Sequence, residues 1–355
     1  MFPLDLLLSL LLSFVFILLL IKFAPSLKLV DIPNDRSFHK NHIPKGGGIG
    51  FSLAALGVIA FCDFQLFMEN YLTFLAIFIV LITGIIDDIK NCRPRFKFIT
   101  IFFAVVLLYI DGCTITTLGD YSGLQIELYW MLVFPFTYFA VVGFTNALNL
   151  IDGIDGLAGG VAFIILGTFL AIGVKFEDSF MILLSASFMF ALIGFLFLNW
   201  NPAKIFMGDS GSLTLGFVIA VLAIKSLAYI NPTLVLFIAA LPILDTMMVM
   251  VRRKQRSQSL FKADKNHLHH ILHDQKRDVK FTATILWMLQ FIFSMIGYRS
   301  IGQDDTWNIV LFIVLFYVFF NLFDPRLRRR KRKKKQSPIE EKKSIIQEKT
   351  EGSTI

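Results

Sequence analysis

Five polar segments interrupt an otherwise apolar chain, and their residue types suit phosphate and metal chemistry. They are Gly46-Gly47-Gly48, Asp87-Asp88, the run Asn146 to Asp155, Gly208-Asp209-Ser210-Gly211-Ser212, and His267-Leu268-His269-His270. Asp87-Asp88 closes an apolar run in GIIDDIKN. Adjacent carboxylates repel each other and are costly to desolvate. A helix C-terminus disfavours them further, so the pair calls for a cation or a proton. A solvated helix end is the plain alternative. Asn146, Asn149, Asp152 and Asp155 step by three, which puts neighbours on one helix face. Capping of the next helix would explain one of these aspartates, but not the stripe. Asp209 stands among glycines just before another apolar run. It reads as an N-cap or as a ligand-facing carboxylate where backbone can approach closely. His267, His269, His270 and His273 share a polar loop with Arg252, Arg253, Lys262 and Lys265. That mixture suits an anion. A zinc site would be expected to show HExxH or a nearby cysteine, and has neither.

These segments need elements to hold them, and the composition says which. Hydrophobic residues make up 56% of the 355, charged residues 17%, and mean hydropathy is +0.69. With its 23 glycines the apolar share exceeds the ~45–50% of soluble domains. Soluble, disordered, fibrous and disulfide-stapled classes are excluded. Cys62, Cys92 and Cys113 form no disulfide framework or zinc ribbon. Spanning a bilayer takes about 20 apolar residues. Eleven stretches are expected as spans: 4–24, 48–67, 71–88, 97–114, 128–149, 157–174, 179–198, 211–229, 232–251, 281–299 and 306–323. The fold class is an all-α polytopic membrane protein. The membrane domain is expected over 1–323. A basic, polar tail, 324–355, has no apolar periodicity and reads as disordered. The first stretch lacks the basic start and cleavage site of a signal peptide. No internal repeat is apparent.

Charge placement sets the expected orientation. Of 34 lysines and arginines, 31 fall in the alternate loops 22–47, 88–97, 199–210, 252–280 and 324–355. Positive loops stay cytoplasmic, so the N-terminus is expected outside and the C-terminus inside. The net charge of +8 then serves topology and lipid headgroups, not nucleic acid. All five polar segments fall on the cytoplasmic side. The even-numbered spans begin there, each preceded by a polar motif, and helix N-termini favour phosphate. Carboxylates beside phosphates imply a divalent cation between them. Mg²⁺ fits best, because it takes one or two carboxylates plus phosphate oxygens.

On these motifs the chain resembles the polyprenyl-phosphate N-acetylhexosamine-1-phosphate transferases of the WecA/TagO type. The matching stretches are LVDIPNDRSFHKNHIPKGGG (29–48), Asp87-Asp88, NALNLIDGIDGLAGG (146–160), GDSGSLTLG (208–216), PILDTMMVMVRR (242–253) and DKNHLHH (264–270). They cover residues 29 to about 273 in the family's order. The resemblance implies a cytoplasmic-membrane enzyme with a cytosolic active site. It would join a sugar-1-phosphate from a UDP-N-acetylhexosamine to undecaprenyl or another polyprenyl phosphate, release UMP and begin envelope glycan synthesis. Mg²⁺ is implied, with Mn²⁺ as a substitute, and a homodimer is allowed. Asp209 and Asn149 would hold the metal. Asp87 and Asp88 would handle the lipid phosphate, and Asp152 and Asp155 the nucleotide or sugar. Asn146, Lys97, Arg252, His267, His269 and His270 would contact substrate, as would His39 and Lys45, with Arg36, in the first loop.

Three other readings remain. The MraY type transfers phospho-N-acetylmuramoyl-pentapeptide. HIPKGGG and HLHH depart from its longer threonine-rich loop and three consecutive histidines. A lipid-linked sugar transporter would place ionisable residues at mid-membrane, where only Asp245 and Lys225 are candidates. A catalytically dead scaffold would be expected to lose motif aspartates, and none in the matched motifs is missing. The identity of the hexosamine is not legible.

Overall fold

A computed structural model describes residues 3–31, 42–257 and 267–323. Expectations for His39 and the tail 324–355 lie outside these residues. In chain order the elements are α1 (Pro3–Phe23), β1 (Val30–Asp31), β2 (Ile43–Pro44), α2 (Gly47–Cys62), α3 (Phe64–Glu69), α4 (Tyr71–Lys90) and α5 (Pro94–Ile110). There follow β3 (Thr117–Tyr121), β4 (Leu124–Glu127), α6 (Trp130–Ile151), α7 (Leu157–Phe176), α8 (Ser179–Asn199) and α9 (Gly208–Ser226). The last are α10 (Pro232–Ile238), α11 (Ala240–Gln255), α12 (Leu268–Lys276), α13 (Val279–Arg299) and α14 (Asp305–Leu322).

Among the described residues, eight helices are long and apolar enough to cross a bilayer: α1, α4, α6, α7, α8, α9, α13 and α14. The chain is a multi-pass membrane protein. Eleven expected spans therefore become eight full-length helices, two shorter ones and a broken pair. The first short one, α2, stops at Cys62 because Asp63 caps a separate helix, accepting from the Leu66 amide at 3.0 Å. The second, α5, has 17 residues.

The stretch expected as one span over 232–251 is two helices, α10 and α11, bent by 89°. The bend strands backbone groups inside the protein, where each needs a partner. Buried Gln290 of α13 supplies it. Its Oε1 accepts from the Leu241 amide (3.0 Å), and its Nε2 donates to the Ile238 carbonyl (2.7 Å).

Two small antiparallel hairpins correct the all-α expectation. β1 pairs with β2, and β3 with β4 in register Tyr121↔Leu124. Ser122 and Gly123 both have positive φ (55° and 86°), the two-residue turn that matches strand twist. Asp305 accepts from the Asp120 amide and Asp304 from the Ser122 amide, each at 2.9 Å. These bonds tie the second hairpin to the start of α14.

The most deeply buried candidate span is α9. It is a hub, and glycines set its contacts. A Cβ on Gly48 of α2 would lie 2.0 Å from the Gly211 nitrogen. One on Gly84 of α4 would lie 2.4 Å from the Ser210 Cα, and one on Gly216 would lie 2.7 Å from the Thr145 Cα of α6. Three helices thus touch α9 backbone to backbone. At the periphery, α1 packs on α8 through Ser9 and Ser13, whose hydroxyls donate to Ser187 and Ala191 carbonyls.

Gly48→Ala should push α2 off α9. Overpacking costs about 1–3 kcal/mol, and here backbone, not a mobile side chain, must yield. A melting curve in detergent should show a clear fall for Gly48→Ala and little change for Gly57→Ala, whose Cβ would meet open space.

Candidate active site

One end of α9 meets the ends of α4, α5 and α6 around a buried charge cluster. Lys97, on the first turn of α5, lies 3.0 Å from Asp87 and also pairs with Asp209. One ammonium thus bridges two carboxylates. Asp87 also accepts from the Cys92 amide (2.8 Å). Asn149 near the end of α6 donates to Asp209 (2.7 Å) and to Ser212 (2.8 Å). Asp209 sits in the first turn of α9 and its side chain does not cap that helix.

The cap comes from elsewhere. Asp88, 4% exposed, accepts from the Asp209 amide (2.9 Å) and the Ser210 amide (3.0 Å). Both its oxygens are used, so it fixes the first turn of α9. Gly208 makes this approach possible: its φ is 73°, and a Cβ there would fall 2.6 Å from an Asp88 oxygen.

This pattern closes several of the helix N-terminal amides that the sequence offers to phosphate. The Gly47 and Gly48 amides of α2 donate to the Phe206 and Met207 carbonyls (3.0 and 2.9 Å). The Gly156 amide before α7 donates to Asn199 (2.9 Å). The Leu268 amide of α12 donates to Asp245 (2.7 Å). The triple glycine serves helix crossing.

The polar stripe is also corrected. Helix α6 ends at Ile151, so Asp152 and Asp155 lie in a loop. Asp155 accepts from the Asn201 side chain (2.8 Å) and the Ala203 amide (3.0 Å). Asn199 adds a bond to the Ile205 carbonyl (2.8 Å). These bonds sew the loop after α6 to the loop after α8. The Asp152 side chain makes no hydrogen bond among the described residues, while its amide donates to the Asn149 carbonyl (3.3 Å). Burial pushes its carboxyl up to about 7, aided by Asp209, Asp88 and Asp155.

A cavity of 1110 Å³ opens beside the cluster. That exceeds the ~300–1,000 Å³ usual for one small ligand. Asp87, Asp88, Asn149, Asp152, Asp155, Asp209, Lys45 and His270 line it. Lys97 stands behind Asp87 and Asp209. Besides Lys97, four expected contacts are not on its wall. Asn146 is exposed one turn before Asn149 in α6. Arg252 is buried, donates to the Phe323 carbonyl (3.0 Å) and lies over the Phe320 ring, so it holds α14. His267 and His269 are buried behind His270. His269 lies parallel to His267 and against Gly153, where a Cβ would be 2.2 Å from Nε2. Burial, with His270 beside it, pushes His269 down to about 3, so it is neutral at pH 7.

Asn199, Asn201, Lys204 and Asp245 belong to the site but are not among the residues expected from the motifs. Asp245, 1% exposed, holds the histidine segment, with Oδ2 2.8 Å from His267 Nδ1. Its signals were an aspartate inside an apolar run and its place in the matching stretch PILDTMMVMVRR. Asn199, Asn201 and Lys204 carried none beyond lying just before GDSGS.

A family model described as "Glycosyl transferase family 4" matches residues 71–227. The chain is 31% identical over 307 residues to "Probable undecaprenyl-phosphate N-acetylglucosaminyl 1-phosphate transferase" of Bacillus subtilis (strain 168), covering 84% of each chain. It is 30% identical over 328 residues to "Undecaprenyl-phosphate alpha-N-acetylglucosaminyl 1-phosphate transferase" of Yersinia pestis, covering 86% of this chain and 87% of that one. The chain belongs to glycosyl transferase family 4. In this family member the charge cluster lies at the end of α4, inside the matched segment, together with Lys97, Asn149 and Asp209.

Asp88→Ala would leave two buried amides without acceptors, at about 1–3 kcal/mol each. Its melting temperature should fall well below that of Asp88→Asn, which keeps one acceptor. Equal melting of the two variants and wild type would contradict the capping role. Asp152 gives a pH signature. Its folded pKa is raised, so protonation favours the fold, and stability should decline as pH rises from about 4 to about 7. Asp152→Asn should remove that decline, melting higher than wild type at pH 8 but not at pH 4, both in EDTA.

Proposed function

We propose that this chain transfers N-acetylhexosamine-1-phosphate, by default N-acetylglucosamine-1-phosphate, from a UDP-sugar to undecaprenyl phosphate and releases UMP. The carrying observation is the Asp87–Lys97–Asp209 cluster, with Asn149, set beside a cavity large enough for two substrates. The names of these relatives support the acceptor and the sugar.

Oxygen donors at the cluster fit a divalent cation. Asp87 and Asp209 already share one positive charge, the Lys97 ammonium. Among the described residues no three His, Cys, Asp or Glu side chains form a protein-only cage. That accords with Mg²⁺, which uses one or two carboxylates and completes its shell with substrate phosphates and water. Asp209 would hold it, with Asn149 beside it once the amide, which presents nitrogen to Asp209, turns its oxygen inward. Bound there, Mg²⁺ would supply charge stabilisation on the diphosphate.

The chain's own residues do the rest. The acceptor phosphate is already largely ionised near pH 7, so Asp87 and Lys97 act by positioning it. Its oxygen attacks the sugar-bearing phosphorus of the donor. A new P–O–P bond forms, the bond to the bridging oxygen breaks, and UMP leaves with the electron pair. Lys97 offsets developing charge. Asp88 keeps Asp209 aimed by fixing its backbone. His270 and Lys45 reach the cavity from the sides as phosphate or sugar contacts.

Charge asymmetry supports eleven crossings, counting α2, α5 and the bent pair α10–α11, with the N-terminus outside and the site facing the cytosol. Tags after Ile355 should then be cytoplasmic and tags before Met1 external; both termini on one side would refute it.

Purified protein with undecaprenyl phosphate and Mg²⁺ should release UMP from UDP-N-acetylhexosamines and not from a muramoyl-pentapeptide nucleotide. Turnover of the pentapeptide donor alone would overturn the reading. Asp209→Asn should stay folded and lose roughly 10²–10³ in rate. Near-normal turnover of that variant at low Mg²⁺ would exclude Asp209 as a ligand.

A further inference from the structure

The charges around the cavity weigh against an anionic substrate, so each cation on its wall matters. Six carboxylates line its wall: Asp31, Asp87, Asp88, Asp152, Asp155 and Asp209. Lys97 is committed to Asp87 and Asp209. A multiply charged phosphate entering this space meets repulsion unless other cations face it. Two lysines do, Lys45 and Lys204.

We propose that Lys204 is a phosphate-binding residue of the transfer site, reaching the cavity from the loop before α9. This rests on the transferase reading and adds a contact that the sequence motifs did not select. Three observations carry it. First, Lys204 lines a carboxylate-rich cavity yet forms no salt bridge among the described residues, so its ammonium is available to an incoming anion. Second, its backbone is fixed: the Lys204 amide donates to the Leu198 carbonyl (2.8 Å) and the Ala203 amide to Asp155 (3.0 Å). Third, its segment is joined to that of Lys45. The Phe206 amide donates to the Pro44 carbonyl (2.8 Å), and the Gly47 amide to the Phe206 carbonyl (3.0 Å). The Lys45 amide is itself tied to the Leu29 carbonyl (2.8 Å). Two cations on one stitched frame suit phosphate oxygens, for which lysine serves as a point charge.

The phosphate could belong to the nucleotide-sugar or to the lipid acceptor, and steady-state kinetics separates them. The full chain in detergent is assayed with each substrate varied in turn. Lys204→Ala should raise KM roughly ten- to hundredfold for one of the two, with kcat little changed and melting temperature unchanged. Lys204→Arg should recover most of the loss. The substrate whose KM moves identifies the phosphate, and a rise for both places Lys204 between them. Unchanged KM for both substrates would overturn the proposal. So would equal losses in the Ala and Arg variants with lowered melting, which would mark a structural lysine. If wild-type protein turned over no UDP-sugar, the transferase reading itself would fail. Calorimetry with inorganic pyrophosphate would then still test Lys204: weaker binding by Lys204→Ala supports it, and equal binding by wild type and variant overturns it.

Discussion

Two backbone amides at the start of α9 govern this structure. The Asp209 and Ser210 N–H groups are packed where water does not reach freely, and an unpaired buried amide is expensive. Asp88 answers both from a different helix. That requires α4 to approach α9 at contact distance, which Gly84 and Gly208 permit. It leaves Asp87, one residue earlier, turned toward Lys97 and Asp209. One capping requirement thus sets the spacing of the carboxylates.

The same logic recurs around the site. Amides that a membrane enzyme could offer to phosphates are closed by Asn199, Asp245 and the carbonyls of the 206–207 segment. At these positions substrate charge is left to side chains. Rigidity comes from backbone and asparagine bonds, while the side chains of Asp152, Lys45 and Lys204 form no salt bridge among the described residues. The division is reasonable on energetic grounds. The structural carboxylates Asp88 and Asp155 accept backbone and asparagine bonds, and Asp152, whose side chain accepts none among the described residues, carries a pKa raised by burial, a common mark of functional sites.

Much of this was legible in the sequence. Apolar length located the helices, and motif residues named the carboxylates, Asn149 and Lys97. Three features were not legible, because each depends on distant partners. The Asp88 cap joins residues 121 and 122 positions apart. The bend at Ala239 depends on Gln290, an ordinary residue in its own helix. The three-residue spacing from Asn146 to Asp155 suggested one continuous helix, but Asp152 ends α6 and the loop is locked by Asn201 and Ala203. Local periodicity carries no information about such closures.

The long separation between Asp88 and its amides has a meaning for biogenesis. A ribosome delivers the chain from its N-terminus, so α4 enters the membrane more than a hundred residues before α9 exists. Throughout that interval Asp87 and Asp88 have neither amides nor a completed charge cluster, and must stay hydrated at the interface. The glycine-lined faces of α2 and α4 likewise wait for the helix that fills them. The first half of the bundle is thus an open receptacle during synthesis. The arrival of α9 is the event that draws helix contacts and acidic residues together at once.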